Sequence, residues 1–131
     1  MESLPESTLG ERIRRLRILK GLTIKELSIL CCVSQETISN IEKSRTSPYP
    51  NTLHKLCQAL NSSNTYILGA ESWPESTSGE IIYKYRMIAG LSQRSLAEKC
   101  NLHPATIKDY EDNRIRNKDT LKIIYKEIGY L

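Results

Sequence analysis

The side chains best equipped for chemistry in this 131-residue chain are four cysteines, two histidines and one short polar run, Gln35-Glu36-Thr37-Ile38-Ser39-Asn40. The sulfur and imidazole groups form no recognisable pattern. Cys31 and Cys32 are adjacent, no C-x-x-C occurs, and a single His/Cys pair at helical spacing such as His54 with Cys57 is too few ligands, so neither a metal nor a cofactor is expected. There is no Ser/His/Asp set, no paired-carboxylate motif and no Gly-rich phosphate loop, so an enzyme is not expected either, and no small-molecule substrate is evident. The polar run differs in kind. Ile38 and Ile41 place an apolar stripe on one side of a helix, leaving the other side to amides, hydroxyls and a carboxylate.

The elements that must carry that helix are written twice. Shifted by 69 residues, Gly10–Arg45 falls on Gly79–Arg114 without a gap, and twelve of the 36 columns are identical. Average residue usage predicts roughly two or three. The identical pairs are Gly10/Gly79, Glu11/Glu80, Ile13/Ile82, Arg17/Arg86, Gly21/Gly90, Leu22/Leu91, Leu27/Leu96, Cys31/Cys100, Thr37/Thr106, Ile38/Ile107, Glu42/Glu111 and Arg45/Arg114. A repeat fixes architecture before any local pattern does. It divides the chain into a unit over 1–70, a linker over 71–78 and a unit over 79–131, each of a size that folds alone.

Composition narrows the class. Apolar residues make up 39%, Phe is absent, and the longest apolar run is Ile29–Val33, far below the ~20 residues that span a bilayer. No membrane contact is expected. Met1–Thr8 is polar and lacks the layout of a secretory signal, so the chain is expected in the cytoplasm with its cysteines reduced. The net charge of +4 divides unevenly, +3 over residues 1–70 and +1 over 71–131, an excess that permits nucleic acid as a partner.

Apolar spacing is helical throughout and no period-2 strand appears, which predicts an all-α chain. Thr8-Leu9-Gly10-Glu11 and Thr77-Ser78-Gly79-Glu80 are capping boxes, each opening a helix that Gly21 or Gly90 ends. The first of these helices is expected to bury Leu9, Ile13, Leu16 and Leu19 or the stem of Lys20; the second, Ile82, Tyr85 and Ile88. A short second helix follows the capping box Thr23-Ile24-Lys25-Glu26, or Ser92-Gln93-Arg94-Ser95, and carries Leu27 and Cys31, or Leu96 and Cys100, inward. After a tight turn at Cys32-Val33 or Asn101-Leu102, a third helix starts under Ser34 or at Pro104. A fourth covers about Pro50 to Leu60, and about Lys118 to Ile128.

Two short helices joined by a tight turn, the second polar outside, form the layout that lets a helix lie in a DNA major groove. Gly21-Leu22-Thr23 through Cys32-Val33-Ser34-Gln35-Glu36-Thr37-Ile38-Ser39-Asn40-Ile41-Glu42-Lys43 resembles the helix-turn-helix of the phage repressor and Cro (XRE) superfamily. Gly90-Leu91-Ser92-Gln93 through Leu102-His103-Pro104-Ala105-Thr106-Ile107-Lys108-Asp109-Tyr110-Glu111 resembles it too. The resemblance implies two small lambda-repressor-like bundles in tandem, with helix-turn-helix segments at about 24–43 and 93–112. It implies base contacts from Gln35, Glu36, Ser39 and Asn40 in the first unit, and from Pro104, Ala105, Lys108 and Asp109 in the second. Phosphate contacts then fall to Thr23, Lys25, Lys43 and Arg45, and to Ser92, Gln93, Arg94, Asn113, Arg114, Arg116 and Lys118. Where the family usually has a turn glycine, this chain has Cys32 and Asn101, which predicts strain of about 1 kcal/mol at Cys32.

Several residues have a structural role as their simplest explanation. Arg17 and Arg86 are expected to pair with Glu42 and Glu111, His103 to cap, Cys31 and Cys100 to pack, and Trp73 to lie on one unit. The expected activity is a sequence-specific double-stranded DNA-binding transcriptional regulator, most simply a repressor, with its two units on adjacent half-sites. The alternative is a protein-interaction module, antitoxin-like or accessory to a mobile element, in which one unit holds DNA and the other, with Asp109, Glu111 and Asp112, meets a partner protein or a second copy.

Overall fold

A computed structural model of the chain describes residues 4–131. Residues 1–3, the start of the expected first unit and of the polar N-terminal stretch, lie outside the described residues. The described residues form helices and no strand, in two compact units that part between Glu71 and Ser72.

In the first unit the helices are α1 (Leu9–Leu19), α2 (Ile24–Cys31), α3 (Gln35–Glu42), α4 (Pro50–Ala59) and α5 (Asn64–Leu68), followed by a 3-10 turn over Ala70–Ser72. The second unit has α6 (Ser78–Ile88), α7 (Gln93–Cys100), α8 (Pro104–Glu111) and α9 (Lys118–Glu127). The capping boxes at Thr8, Thr23 and Thr77 form in full, the hydroxyl accepting the N–H three residues on while the glutamate accepts the threonine's own N–H. At Ser92 only half of the device exists, because Ser95 replaces the glutamate.

Packing follows the repeat. In the first unit α1 lies on α3 and α5, while α2 lies on α3 and α4; in the second, α6 lies on α8 and α7 on α8 and α9. Ile13, Leu27, Cys31, Ile38, Ile41, Leu53, Leu56 and Leu60 are buried in one core, and Ile82, Leu96, Ala97, Cys100, Ile107, Tyr110, Ile124 and Ile128 form the other. Not every expected core residue is inside. Leu19 is 63% exposed and Lys20 is exposed as the α1 C-cap, because the inward stripe of α1 runs through Gly10, Ile13 and Arg17 at helical spacing and leaves its last turn outside. Leu9, Leu16, Tyr85 and Ile88 are half-buried.

That stripe explains three identical columns of the repeat. A Cβ on Gly10 would strike the carbonyl oxygens of Ile41 and Glu42, and one on Gly79 would strike the carbonyl of Glu111, so the first turn of α1 or α6 rests directly on the end of α3 or α8. Two turns further along, Arg17 reaches the same helix end. Its Nε and Nη2 donate to Glu42 Oε2 and Oε1 at 2.7 and 3.0 Å, while Nη1 donates to the Leu22 carbonyl at 2.9 Å. Arg86 repeats the arrangement on Glu111 at 2.5 and 3.1 Å and on the Leu91 carbonyl at 2.8 Å. These forks are shut away from water, with side-chain exposures of 12% and 5% in the first pair and 7% and 9% in the second. Loss of one partner from such a pair costs about 3–5 kcal/mol, since the remaining charge stays buried.

α5 has no counterpart in the second unit and was not anticipated from the sequence. Ser63 caps it, Ile67 and Leu68 bury its apolar side, and Arg12 Nε donates to the Ile67 carbonyl at 2.8 Å. Residues 73–77 belong to the surface of the second unit. Trp73 stacks on Tyr83 with ring centroids 5.5 Å apart, and Lys84 Nζ donates to the Trp73 carbonyl and to Glu75.

All four cysteines are free thiols, and three of them, Cys31, Cys57 and Cys100, are buried. Burial raises each of those three pKa values, pushing Cys57 from 9.0 up to about 11.

Gly79→Ala, although it replaces glycine by the best helix former, should lower stability by about 1–3 kcal/mol, because the methyl meets fixed backbone; a raised midpoint in urea denaturation would contradict the close approach. Iodoacetamide should modify Cys32 quickly and the other three thiols only on unfolding. From pH 9 to about 11 the unfolded chain loses the Cys57 proton while the folded chain keeps it, so stability present below pH 9 should fall across that window.

Candidate nucleic-acid interface

Each unit presents a two-helix segment whose turn is set by backbone hydrogen bonds and a left-handed residue. In the first, α2 ends at Cys32 (φ 56°, ψ 38°), whose N–H donates to the Ile29 carbonyl, and Val33 N–H closes onto Ser28. Ser34 Oγ then accepts the Thr37 N–H at 3.1 Å and starts α3. In the second, Asn101 (φ 58°, ψ 44°) ends α7, Leu102 N–H closes onto Ala97 at 2.8 Å, and His103 Nδ1 caps α8 by accepting from Ala105 N–H at 3.0 Å. A histidine thus does the work of the serine in the other unit.

Ile38 and Ile41 anchor α3 to the core, and Ile107 and Tyr110 anchor α8, so the opposite faces are turned outward. Gln35 and Glu36 are exposed and Ser39 and Asn40 half-buried. None of these four side chains makes a hydrogen bond or ion pair among the described residues, which leaves one amide donor–acceptor pair at each end of the ridge and a carboxylate between them. Ala105 and Lys108 are exposed on α8, while Pro104 and Asp109 are half-buried.

The flanking cations divide the two units. Lys25, Lys43 and Arg45 are exposed and make no ion pair among the described residues. Thr23 spends its oxygen lone pair on the Glu26 N–H and keeps its hydroxyl proton. In the second unit most of the corresponding groups have partners. Ser92 Oγ donates to Ser95 Oγ, and Gln93 Nε2 donates to Glu111 Oε1 at 3.1 Å. Arg94 faces Glu98 at 3.6 Å. Asn113 Oδ1 accepts the Gly79 N–H at 2.8 Å, which ties its side chain to the start of α6. Arg114 and Arg116 lie 3.9 and 3.4 Å from the two oxygens of Asp109. Lys118 stands exposed at the first position of α9. The pairing of Asp109 with cations five and seven residues on, across the loop after α8, has no periodic signature in sequence.

Set beside known proteins, residues 13–67 and again 82–124 match the family model described as Helix-turn-helix. The chain belongs to the helix-turn-helix family. Members of the XRE type of this family are DNA-binding transcription regulators, and this chain is one of them. It is similar to an uncharacterized HTH-type transcriptional regulator, y4dJ, of Sinorhizobium fredii (strain NBRC 101917 / NGR234). The two are 37% identical over 60 residues, 46% of this chain and 78% of the relative. No solved structure matches. Both helix-turn-helix segments lie inside the matched residues. Among the described residues no helix is long and apolar enough to cross a membrane.

The left-handed turn residue separates the two segments energetically. Asparagine accepts this conformation readily, whereas a cysteine held there is strained by about 1–2 kcal/mol. Cys32→Gly should therefore raise the stability of the chain by about 0.5–1 kcal/mol after the flexibility of glycine in the unfolded state is allowed for. An unchanged or lowered thermal midpoint would show that the first turn carries no strain.

Proposed function

We propose that this regulator binds double-stranded DNA through both units at once, each laying its third helix in a major groove, and that it acts as a repressor by occupying a promoter. The observation that carries this reading is the outward ridge of Gln35, Glu36, Ser39 and Asn40, which has no internal partners among the described residues and is flanked by the cations Lys25, Lys43 and Arg45, likewise without ion pairs among them. Glutamine and asparagine match the donor and acceptor that adenine offers in the major groove, and glutamate can accept from a cytosine amine. In the second unit Lys108 can donate to guanine and Asp109 can accept from cytosine, while Pro104 and Ala105 give apolar contact. Phosphate contacts from Thr23, Ser92, Gln93, Arg94, Asn113, Arg114, Arg116 and Lys118 would complete the footprint. The preferred site is then a pair of unlike half-sites, because all four base-reading columns differ between the units. Covalent linkage raises the effective concentration of the second unit to about the millimolar range once the first is bound.

A second reading keeps only the first unit on DNA and gives the second to a protein partner or another copy. It is favoured by the internal bonds that occupy Gln93, Arg94, Arg114 and Arg116.

One experiment separates them. Selection of bound fragments from random duplex DNA should recover two different motifs at fixed spacing, and with the best fragment Gln35→Ala and Asn40→Ala should each cost about 1–3 kcal/mol of binding and relax one motif only. Lys108→Ala should relax the other. Recovery of a single motif, indifferent to Lys108→Ala, would assign DNA to the first unit alone; affinity that is equal for all sequences and insensitive to salt would end both readings.

A further inference from the structure

Within the second unit, the carboxylate of Asp109 occupies a place for which the first unit has no equivalent charge. Its Oδ1 faces Arg114 Nη1 at 3.9 Å and its Oδ2 faces Arg116 Nη2 at 3.4 Å, with the two arginines 71% and 77% exposed and the aspartate 26% exposed. The aspartate belongs to the last turn of α8 and the arginines reach back to it from the loop that follows, so both cations are drawn toward the third helix of their own unit. In the repeat, Asp109 falls on Asn40 and Arg114 on Arg45. Asn40 is neutral, and Arg45 has no carboxylate partner among the described residues. The loop after α3 therefore offers its arginine to whatever approaches, while the loop after α8 has its arginines held by a carboxylate of that helix. Asp112, exposed at the column of Lys43, makes a like contrast in charge three positions on.

We propose that Asp109 is an internal competitor for DNA phosphate: it occupies Arg114 and Arg116 in the free protein and so sets the second unit as the weaker, later-engaging half of the pair. This rests on the reading that the chain binds duplex DNA through its helix-turn-helix segments, and it assigns Asp109 to its two arginines in place of the cytosine contact. A phosphate that recruits either arginine must displace a carboxylate already there, and must approach with that carboxylate's negative charge close by. Both effects lower affinity and reduce the counterion release that drives association. Asparagine at 109 would keep the size and the backbone bonds of the aspartate while removing the competitor, which gives this column the neutral amide it has in the first unit. Asp109 is thus a residue that tunes affinity through its neighbours, and it makes engagement of the second unit the weaker and less salt-dependent step.

The test uses the full chain and a mixed-sequence duplex of about two to three helical turns, with dissociation constants measured across a salt series for the wild type, Asp109→Asn, Arg114→Ala with Arg116→Ala, and the triple variant. Asp109→Asn should bind about five- to tenfold more tightly near 0.1 M salt, and should steepen the dependence of log affinity on log salt by about one. Removal of both arginines should cancel that gain in the Asp109→Asn background and cost much less in the wild type. A structural role for the ion pairs alone would alter thermal stability and leave the salt slope unchanged. An unchanged slope for Asp109→Asn, or weaker binding confined to fragments with one particular base pair, overturns the proposal and in the latter case makes Asp109 a base reader. Gln35→Ala with Asn40→Ala, measured on a selected fragment, distinguishes the two levels. If that pair loses binding while Asp109→Asn changes nothing, only the Asp109 inference fails; if no variant affects duplex binding, the DNA-binding reading of these helices fails with it.

Discussion

The buried fork between an arginine of the first helix and a glutamate at the end of the third is the constraint on which each unit depends. A guanidinium with three of its groups bonded joins α1, the loop before α2, and the end of α3 in one place, and Arg86 does the same in the second unit. Because both charges are almost fully removed from water, the pair is stable only while its geometry is complete. That requirement fixes the third helix against the first. The glycine two turns earlier adds a second fixed point, since it lets the helix backbones touch where any side chain would separate them. A ridge of polar residues on the outer side of that helix is therefore held as rigidly as the core beneath it.

This division of labour is visible in what the repeat has kept. Gly10, Ile13, Arg17, Leu27, Cys31, Ile38 and Glu42 and their partners 69 residues on are the same residue in both units, and every one of them packs in a core or builds the fork. The outer columns of α3 and α8 share nothing: Gln35, Glu36, Ser39 and Asn40 stand opposite Pro104, Ala105, Lys108 and Asp109. One scaffold thus presents two different surfaces. A histidine cap, a missing glutamate in the Ser92 cap and a cysteine in a left-handed turn show how much local chemistry can vary while the fork and the core hold the fold.

The surfaces also differ in how far they are available. The first unit leaves the outward side chains of α3 and the nearest cations without internal partners among the described residues. In the second, a carboxylate on α8 and another in the fork draw Arg114, Arg116 and Gln93 onto the protein itself. Two copies of one device need not be equivalent, and the inequality arises from single charges at positions the fold does not use.

Much of the molecule was legible before any coordinates. Internal repetition, helical apolar spacing, capping boxes at Thr8, Thr23 and Thr77 and paired glycines at 21 and 90 determine an all-helical chain of two units, because those signals are local and the backbone must obey them within a few residues. The Arg17–Glu42 and Arg86–Glu111 pairs could be anticipated from the repeat columns they share. Other features needed the tertiary structure. Leu19 lies outside because the orientation of α1 is set by Gly10 and Arg17 against α3, and α5 forms because a short helix after Ser63 finds an apolar surface and the Arg12 side chain waiting for it. Which polar side chains remain free to meet a partner was decided last, by distances between groups such as Asp109 and Arg116 that sequence separation does not encode.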